Sequence, residues 1–173
     1  MRKYTVLTVC LALVAAAAII ISGCGGNTSQ AKQDMNKGDQ LMTQVETKAK
    51  QFQTAVQEGL GDITNPATIQ QIKDMAKSID TTAQQSRAAY AKIDSLKGVP
   101  DYVEYADLQI QLIENLSKSV GAMNKFLDQS SAAKTAADLQ AASEAYQKDL
   151  QAFNDQMSKL EEKASKLKTD KDL

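Results

Sequence analysis

The chain has 173 residues with 20 Lys and Arg, 21 Asp and Glu, and no His, which gives a formal net charge of -1. This length holds one domain and a targeting segment, and the charge balance excludes the basic surface of a nucleic-acid-binding protein, so no nucleic-acid partner is expected. The lack of His removes the commonest general base and the commonest metal ligand. An aromatic content of 5% and only two Pro favour long helices.

The N-terminal 23 residues have the parts of a secretory signal peptide. Arg2 and Lys3 open the chain, and the run from Val6 to Ile21 is apolar except for Thr8. Small residues then precede Cys24. An uncut transmembrane helix is the alternative, because a span needs roughly 20 apolar residues. The cysteine at the end of the run favours cleavage.

The quartet Ile21-Ser22-Gly23-Cys24 resembles the lipobox of prokaryotic lipoproteins, although Ile21 stands where the motif usually has Leu. The resemblance implies cleavage between Gly23 and Cys24 and attachment of a diacylglycerol to Cys24. It therefore implies a lipid-anchored protein on the extracytoplasmic face of a cell membrane. Cys10 would leave with the signal peptide, so no internal disulfide is expected. The resemblance covers this segment alone and implies no biochemical activity.

Residues 24–33 comprise the lipidated cysteine and a stretch rich in Gly, Ser, Asn and Gln, which predicts a flexible tether. Hydrophobic periodicity then predicts a helical domain over residues 34–168. Its four helices are expected at about 34–60, 66–97, 102–128 and 136–168, and residues 169–173 are expected to fray.

The predicted helix boundaries follow from capping and breaking residues. Asn65 is expected to cap the second helix, with Pro66 at its first position. Asp101 with Glu104 resembles a capping box for the third helix. A weak break over 128–135 separates the last two helices, with Thr135 and Asp138 as the next cap. If this break were bridged, a three-helix arrangement would contain a helix roughly 100 Å long, so four helices are favoured.

The apolar stripes of the last two helices give the clearest core prediction. On the third helix the stripe is Tyr105, Leu108, Leu112, Leu116, Met123 and Leu127. On the fourth it is Leu139, Ala142, Tyr146, Leu150, Phe153, Met157, Leu160, Ala164 and Leu167. Four amphipathic helices with short connections predict an all-α fold, an antiparallel up-down-up-down four-helix bundle.

Catalysis and metal binding find little support in the residue types. Without His there is no Ser-His or Cys-His nucleophile and no di-iron motif of the bundle type. Asp101, Glu104 and Asp107 share a helix face, which we interpret as a cap followed by solvated charges. We therefore expect no enzyme activity, no catalytic residue, no metal site and no cofactor.

Tyr90, Tyr102 and Tyr105 lie near the predicted turn between the second and third helices, at the end of the bundle closest to the anchor. Tyrosine favours the boundary between water and a bilayer. A bilayer contact and simple closure of the core both explain this group.

A second apolar line on the third helix consists of Val103, Ala106, Ile110 and Ile113. Ile110 falls roughly 155° from the middle of the main stripe, so Ile110 is predicted to face outward with Val103 and Ala106 along the same side. Ile113 falls on the flank, where a neighbouring helix could cover it. We expect this apolar line to dock a protein partner or a second copy of the chain, which favours an interaction or scaffold module over a small-molecule ligand. The alternative is a sensory or ligand-binding bundle, which would hold an apolar or amphipathic molecule in a cavity lined by the stripes.

Overall fold

The computed structural model describes residues 26–59 and 65–173, and its regular structure in these ranges is entirely helical. The elements are α1 (Gly26–Gly59), α2 (Pro66–Tyr90), a short 3-10 helix (Ile93–Ser95), α3 (Pro100–Ala132) and α4 (Ala136–Lys171). The all-α class with four helices is thereby confirmed. Within the described ranges, no helix has the length and apolar character needed to cross a membrane.

Two of the predicted helix starts are confirmed at the level of hydrogen bonds. The Asn65 side chain accepts a bond of 2.9 Å from the backbone N–H of Ala67, and Pro66 occupies the first turn of α2. Thr135 and Asp138 form a reciprocal capping box, with bonds of 3.0 and 3.1 Å. Each cap satisfies N–H groups that a helix start leaves without a partner. The break before α4 is therefore real, and the three-helix alternative is wrong.

The prediction of a flexible tether up to residue 33 is wrong from Gly26 onward, where α1 already begins. Ala31 is fully buried and Met35 is 2% exposed, so the buried face of this helix starts before the predicted helix start at residue 34. The Asn27 side chain also donates to the carbonyl oxygen of Lys97 at 2.8 Å. The polar composition of residues 26–33 did not indicate a helix, because a single small residue of this segment, Ala31, contacts the core.

The connection between α2 and α3 differs from the prediction. The α2 helix ends at Tyr90 instead of residue 97, and the chain turns through the 3-10 helix to Gly98, which has a φ of 77°. Ile93 and Val99 are buried and anchor this turn. A glycine is needed here because other residues rarely adopt a positive φ.

The predicted capping box of the third helix is also wrong. Val99 is the N-cap residue and Pro100 the first helical residue, so Asp101 already lies inside the first turn of α3. Its carboxylate instead pairs with Lys171 at 3.1 Å. Lys171 belongs to the segment predicted to fray, yet α4 continues through this residue.

The core consists of two clusters of buried side chains. The first is lined by α1, α2, the 3-10 helix, α3 and the end of α4, and it includes Val45, Tyr90, Ile113 and Ala164. The second contains Val56, Ile69, Ile72, Met123, Leu127 and Tyr146. Packing is closest between α3 and α4, between α1 and α2, and between α2 and α3. In the described residues, α1 and α4 are not among the closely packed pairs.

The α4 stripe is buried only in part. Ala142, Tyr146, Leu160 and Ala164 are buried as predicted, whereas Leu139 is 36% exposed. The middle of the stripe, Leu150, Phe153 and Met157, is half-buried. These three side chains line a cavity.

Candidate ligand-binding site

The apolar line predicted on α3 is less exposed than expected. Ala106 and Ile113 are both fully buried, while Val103 and Ile110 are half-buried against the first core cluster. The prediction failed because α3 packs against both α2 and α4. A helix that packs against two neighbours buries residues over a wider arc than one apolar stripe. The prediction placed the outward side of α3 from one stripe alone.

The predicted lipid attachment at Cys24 and cleavage after Gly23 lie outside the described residues. Within the described ranges, no group of three or more acidic or cysteine side chains is arranged to hold a metal ion.

A cavity of about 130 Å³ lies where the two core clusters meet, and we call it the interhelical cavity. All four helices contribute to its wall. Its apolar lining residues are Ala49, Phe52, Val56, Ala76, Ile79, Leu116, Val120, Met123, Tyr146, Leu150, Phe153 and Met157. Its polar lining residues are Gln53, Asn115, Ser119 and Asn154.

The cavity has an identifiable origin in the sequence. Ala49 of α1 and Ala76 of α2 place small side chains on the cavity wall between larger apolar residues of the same helices, Val45 and Phe52 on α1 and Ile72 and Ile79 on α2. On the opposite side, Phe153 and Met157 of α4 stay half-buried because α4 does not pack closely against α1. Small residues on one side and a separated helix on the other leave the space open.

Among the described residues that line the cavity with an amide or hydroxyl side chain, Gln53, Asn115, Ser119 and Asn154, only Asn115 is fully buried, with 1% of its surface exposed. Its Nδ2 donates a 2.9 Å hydrogen bond to the backbone carbonyl oxygen of Phe153, which ties α3 to α4. Its Oδ1 is buried and has no hydrogen-bond partner among the described residues. An unsatisfied buried acceptor is uncommon in a native protein and calls for an explanation.

Tyr146 supplies an aromatic wall at the other side of the cavity. Its ring stacks on Phe126, with the centroids 5.0 Å apart and the planes 17° from parallel. Burial raises the pKa of the Tyr146 phenol above its ordinary value, so the side chain stays neutral. The cavity therefore combines aromatic and aliphatic walls with uncharged polar groups.

A second group of polar residues joins all four helices at the end of the first core cluster, and we call it the Asp39 cluster: Asp39, Tyr90, Tyr105 and Lys168. The phenols of Tyr90 and Tyr105 donate to Oδ1 of Asp39 at 2.6 and 3.0 Å. Lys168 Nζ donates to Oδ2 at 2.6 Å and lies 5.3 Å from the centroid of the Tyr105 ring. The carboxylate is thus engaged through both oxygens.

The chemistry of the Asp39 cluster is structural. Burial, and secondly the charge of Asp39, raises the pKa of Tyr90 and of Tyr105, so both phenols remain protonated donors. Tyr90 is fully buried and Tyr105 is 4% exposed, so these rings close the end of the core. Of the two explanations for the tyrosine group, closure of the core is the one that fits these two residues.

Acidic residues of α1 and α4 oppose each other between the Asp39 cluster and the cavity. Burial, and secondly the negative charge of Glu46, raises the pKa of the Glu161 carboxyl. Burial also raises the pKa of Glu46, and Lys50 offsets part of this rise. Like charges on facing helices disfavour close approach, which agrees with the separation of α1 from α4.

Comparisons with protein-family models, with curated proteins and with solved structures give no match.

Proposed function

We propose that the protein is a lipid-anchored extracytoplasmic binding module whose helices hold a small apolar or amphipathic molecule in the interhelical cavity. The observation that carries this proposal is the cavity itself, which is lined by apolar residues of all four helices. Small-molecule sites have such walls, predominantly apolar with a few placed polar groups. A scaffold function has less support, because Ala106 on the expected α3 surface is fully buried and Val103 and Ile110 are half-buried.

The arrangement proposed around the cavity is the antiparallel up-down-up-down bundle. It is supported by the order of contacts between consecutive helices. Lys73 of α2 pairs with Asp128 of α3, and Arg87 pairs with Glu114 at 3.3 Å, so residue number falls on α3 as it rises on α2. The same order holds for Gly38 with Ser86 and Lys48 with Thr82 between α1 and α2, and for Asp101 with Lys171 and Asn115 with Phe153 between α3 and α4.

The size of the cavity limits its ligand. A volume of about 130 Å³ is close to that of an engineered apolar cavity of roughly 150 Å³ that binds benzene. Sites for drug-sized molecules are larger, at about 300 to 1,000 Å³. The part of the proposed ligand that the cavity holds is therefore one ring or a short alkyl chain in size.

Filling the cavity should abolish binding. We expect toluene to raise the melting temperature of the wild-type protein, because a ligand that binds only the folded state stabilises it. In Ala49→Phe the new ring occupies the cavity, so the stabilisation by toluene should disappear. Circular dichroism melts with and without toluene measure this difference.

The matched control is Ala152→Phe, which adds the same ring at an exposed position of α4 that does not line the cavity. This variant should respond to toluene like the wild type. A toluene response that is the same in Ala49→Phe and in the control would rule out the cavity as the binding site.

The proposed anchor makes a separate prediction. Mass spectrometry of the protein purified from membranes should find Cys24 at the N-terminus with a diacylglyceryl group. Cys24→Ser removes the thiol that carries the lipid, so the variant should accumulate as precursor or be released as soluble protein. Wild-type protein that retains residues 1–23 would contradict the proposed processing.

A further inference from the structure

We infer that the interhelical cavity selects a neutral ligand that donates one hydrogen bond, such as a phenol or a small alcohol, and that Asn115 Oδ1 is the acceptor. This inference rests on the proposed function and adds the chemical class of the ligand.

The orientation of the Asn115 amide is set by its other contact. A carbonyl oxygen can only accept a hydrogen bond, so the atom that faces the Phe153 carbonyl at 2.9 Å must be the Nδ2 donor. The remaining atom, Oδ1, is therefore an acceptor. It is buried, lies in a residue that lines the cavity, and has no partner among the described residues. A ligand that pairs with it must carry an O–H or N–H group.

The cavity wall also determines the charge of the ligand. None of the described lining residues carries a charge, and the polar members other than Asn115 are Gln53, Ser119 and Asn154. A cationic donor such as an ammonium group would be buried without a counter-charge, which is costly. A neutral hydroxyl or amide N–H avoids this cost and still satisfies Oδ1.

A ligand without a donor should be discriminated against. Such a molecule would leave Asn115 Oδ1 without a partner, as it is in the free protein, and would forgo the hydrogen bond that a donor forms with this acceptor. Sites built to bond a hydroxyl reject analogues that lack it for this reason. Phenol and toluene have nearly the same shape and differ in this one group, so they form the informative pair.

The test is calorimetric titration of phenol and of toluene into the full protein held in nanodiscs, with empty nanodiscs as the reference. We expect phenol to bind the wild-type protein at least about tenfold more tightly than toluene. In Asn115→Leu, which replaces the amide by an apolar group of similar size, the ratio of the two affinities should fall by about tenfold. Asn115→Leu should still bind toluene.

The matched control is Asn124→Leu, because Asn124 also has a buried Oδ1 without a partner among the described residues but does not line the cavity. This variant should keep the preference for phenol. Equal affinities in the wild type, or a preference that survives in Asn115→Leu, would overturn the inference while leaving the cavity a binding site. Failure of both probes to bind would overturn the proposed function as well. The comparison of phenol with toluene in the wild-type protein tests the inference even if Asn115→Leu does not fold.

Discussion

Gly38→Ala should destabilise the protein by about 3 kcal/mol or more, because no space exists for a Cβ atom at this position. A Cβ on Gly38 would lie 2.5 Å from Cζ and 2.6 Å from Cε1 of the Tyr90 ring. The ring cannot move away easily, since Tyr90 is fully buried and its hydroxyl is bonded to Asp39. The Ser86 hydroxyl also donates to the carbonyl oxygen of Gly38 at 2.9 Å, which holds α1 against α2.

Gly121→Ala is the matched control for this substitution. Gly121 lies inside α3, and a Cβ there would meet no atom within 4 Å. Because glycine disfavours a helix interior, Gly121→Ala should stabilise the protein by about 0.5 to 1 kcal/mol. Chemical denaturation of both variants gives the two free energies of unfolding. The close packing of α1 on Tyr90 is refuted by a Gly38→Ala protein as stable as the wild type.

Asp39→Ala should destabilise the protein by about 2 to 4 kcal/mol, because it leaves two phenols in the core without their acceptor. Lys168 would lose its partner at the same time. Asp39→Asn should cost less, since an amide oxygen can still accept from Tyr90 and Tyr105 at the same place. The melting temperature should therefore be highest for the wild type, lower for Asp39→Asn and lowest for Asp39→Ala.

The control for the Asp39 variants is Asp149→Ala, which removes a carboxylate from an exposed position of α4. Exposed substitutions of this kind usually change stability by no more than about 0.5 kcal/mol. If Asp39→Ala is as mild as Asp149→Ala, the Asp39 cluster contributes nothing to holding the four helices together.

Local signals in the sequence predicted the helices well where a boundary depends on neighbouring residues. The caps at Asn65 and Thr135 are examples, because the side chain and the N–H group it bonds are two or three residues apart. The end of α2 was misplaced because it depends on burial of Ile93 and Val99 against other helices. A boundary set by tertiary contacts leaves no local pattern to read.

The features that matter most for the site are pairwise contacts between distant positions. Gly38 has no side chain and so adds nothing to a hydrophobic pattern, and its importance comes from the Tyr90 ring, 52 residues later in the chain. Asn115 lies between Leu112 and Leu116 of the α3 stripe. An amide in a helix interior is only a weak indication of a functional residue. Only the position of the Phe153 carbonyl reveals which atom of the Asn115 amide is left without a partner.

The early start of α1 limits where the ligand can come from. If Cys24 carries the lipid, Gly25 alone separates the anchor from the first residue of α1. Ala49, the first lining residue along this helix, is about 35 Å from that start at the rise of an α-helix. On a helix that rises upright from its anchor, the cavity would lie well clear of the lipid headgroups. A molecule dissolved in the bilayer would then have no direct path to it, and the protein would sample solutes from the water outside the membrane.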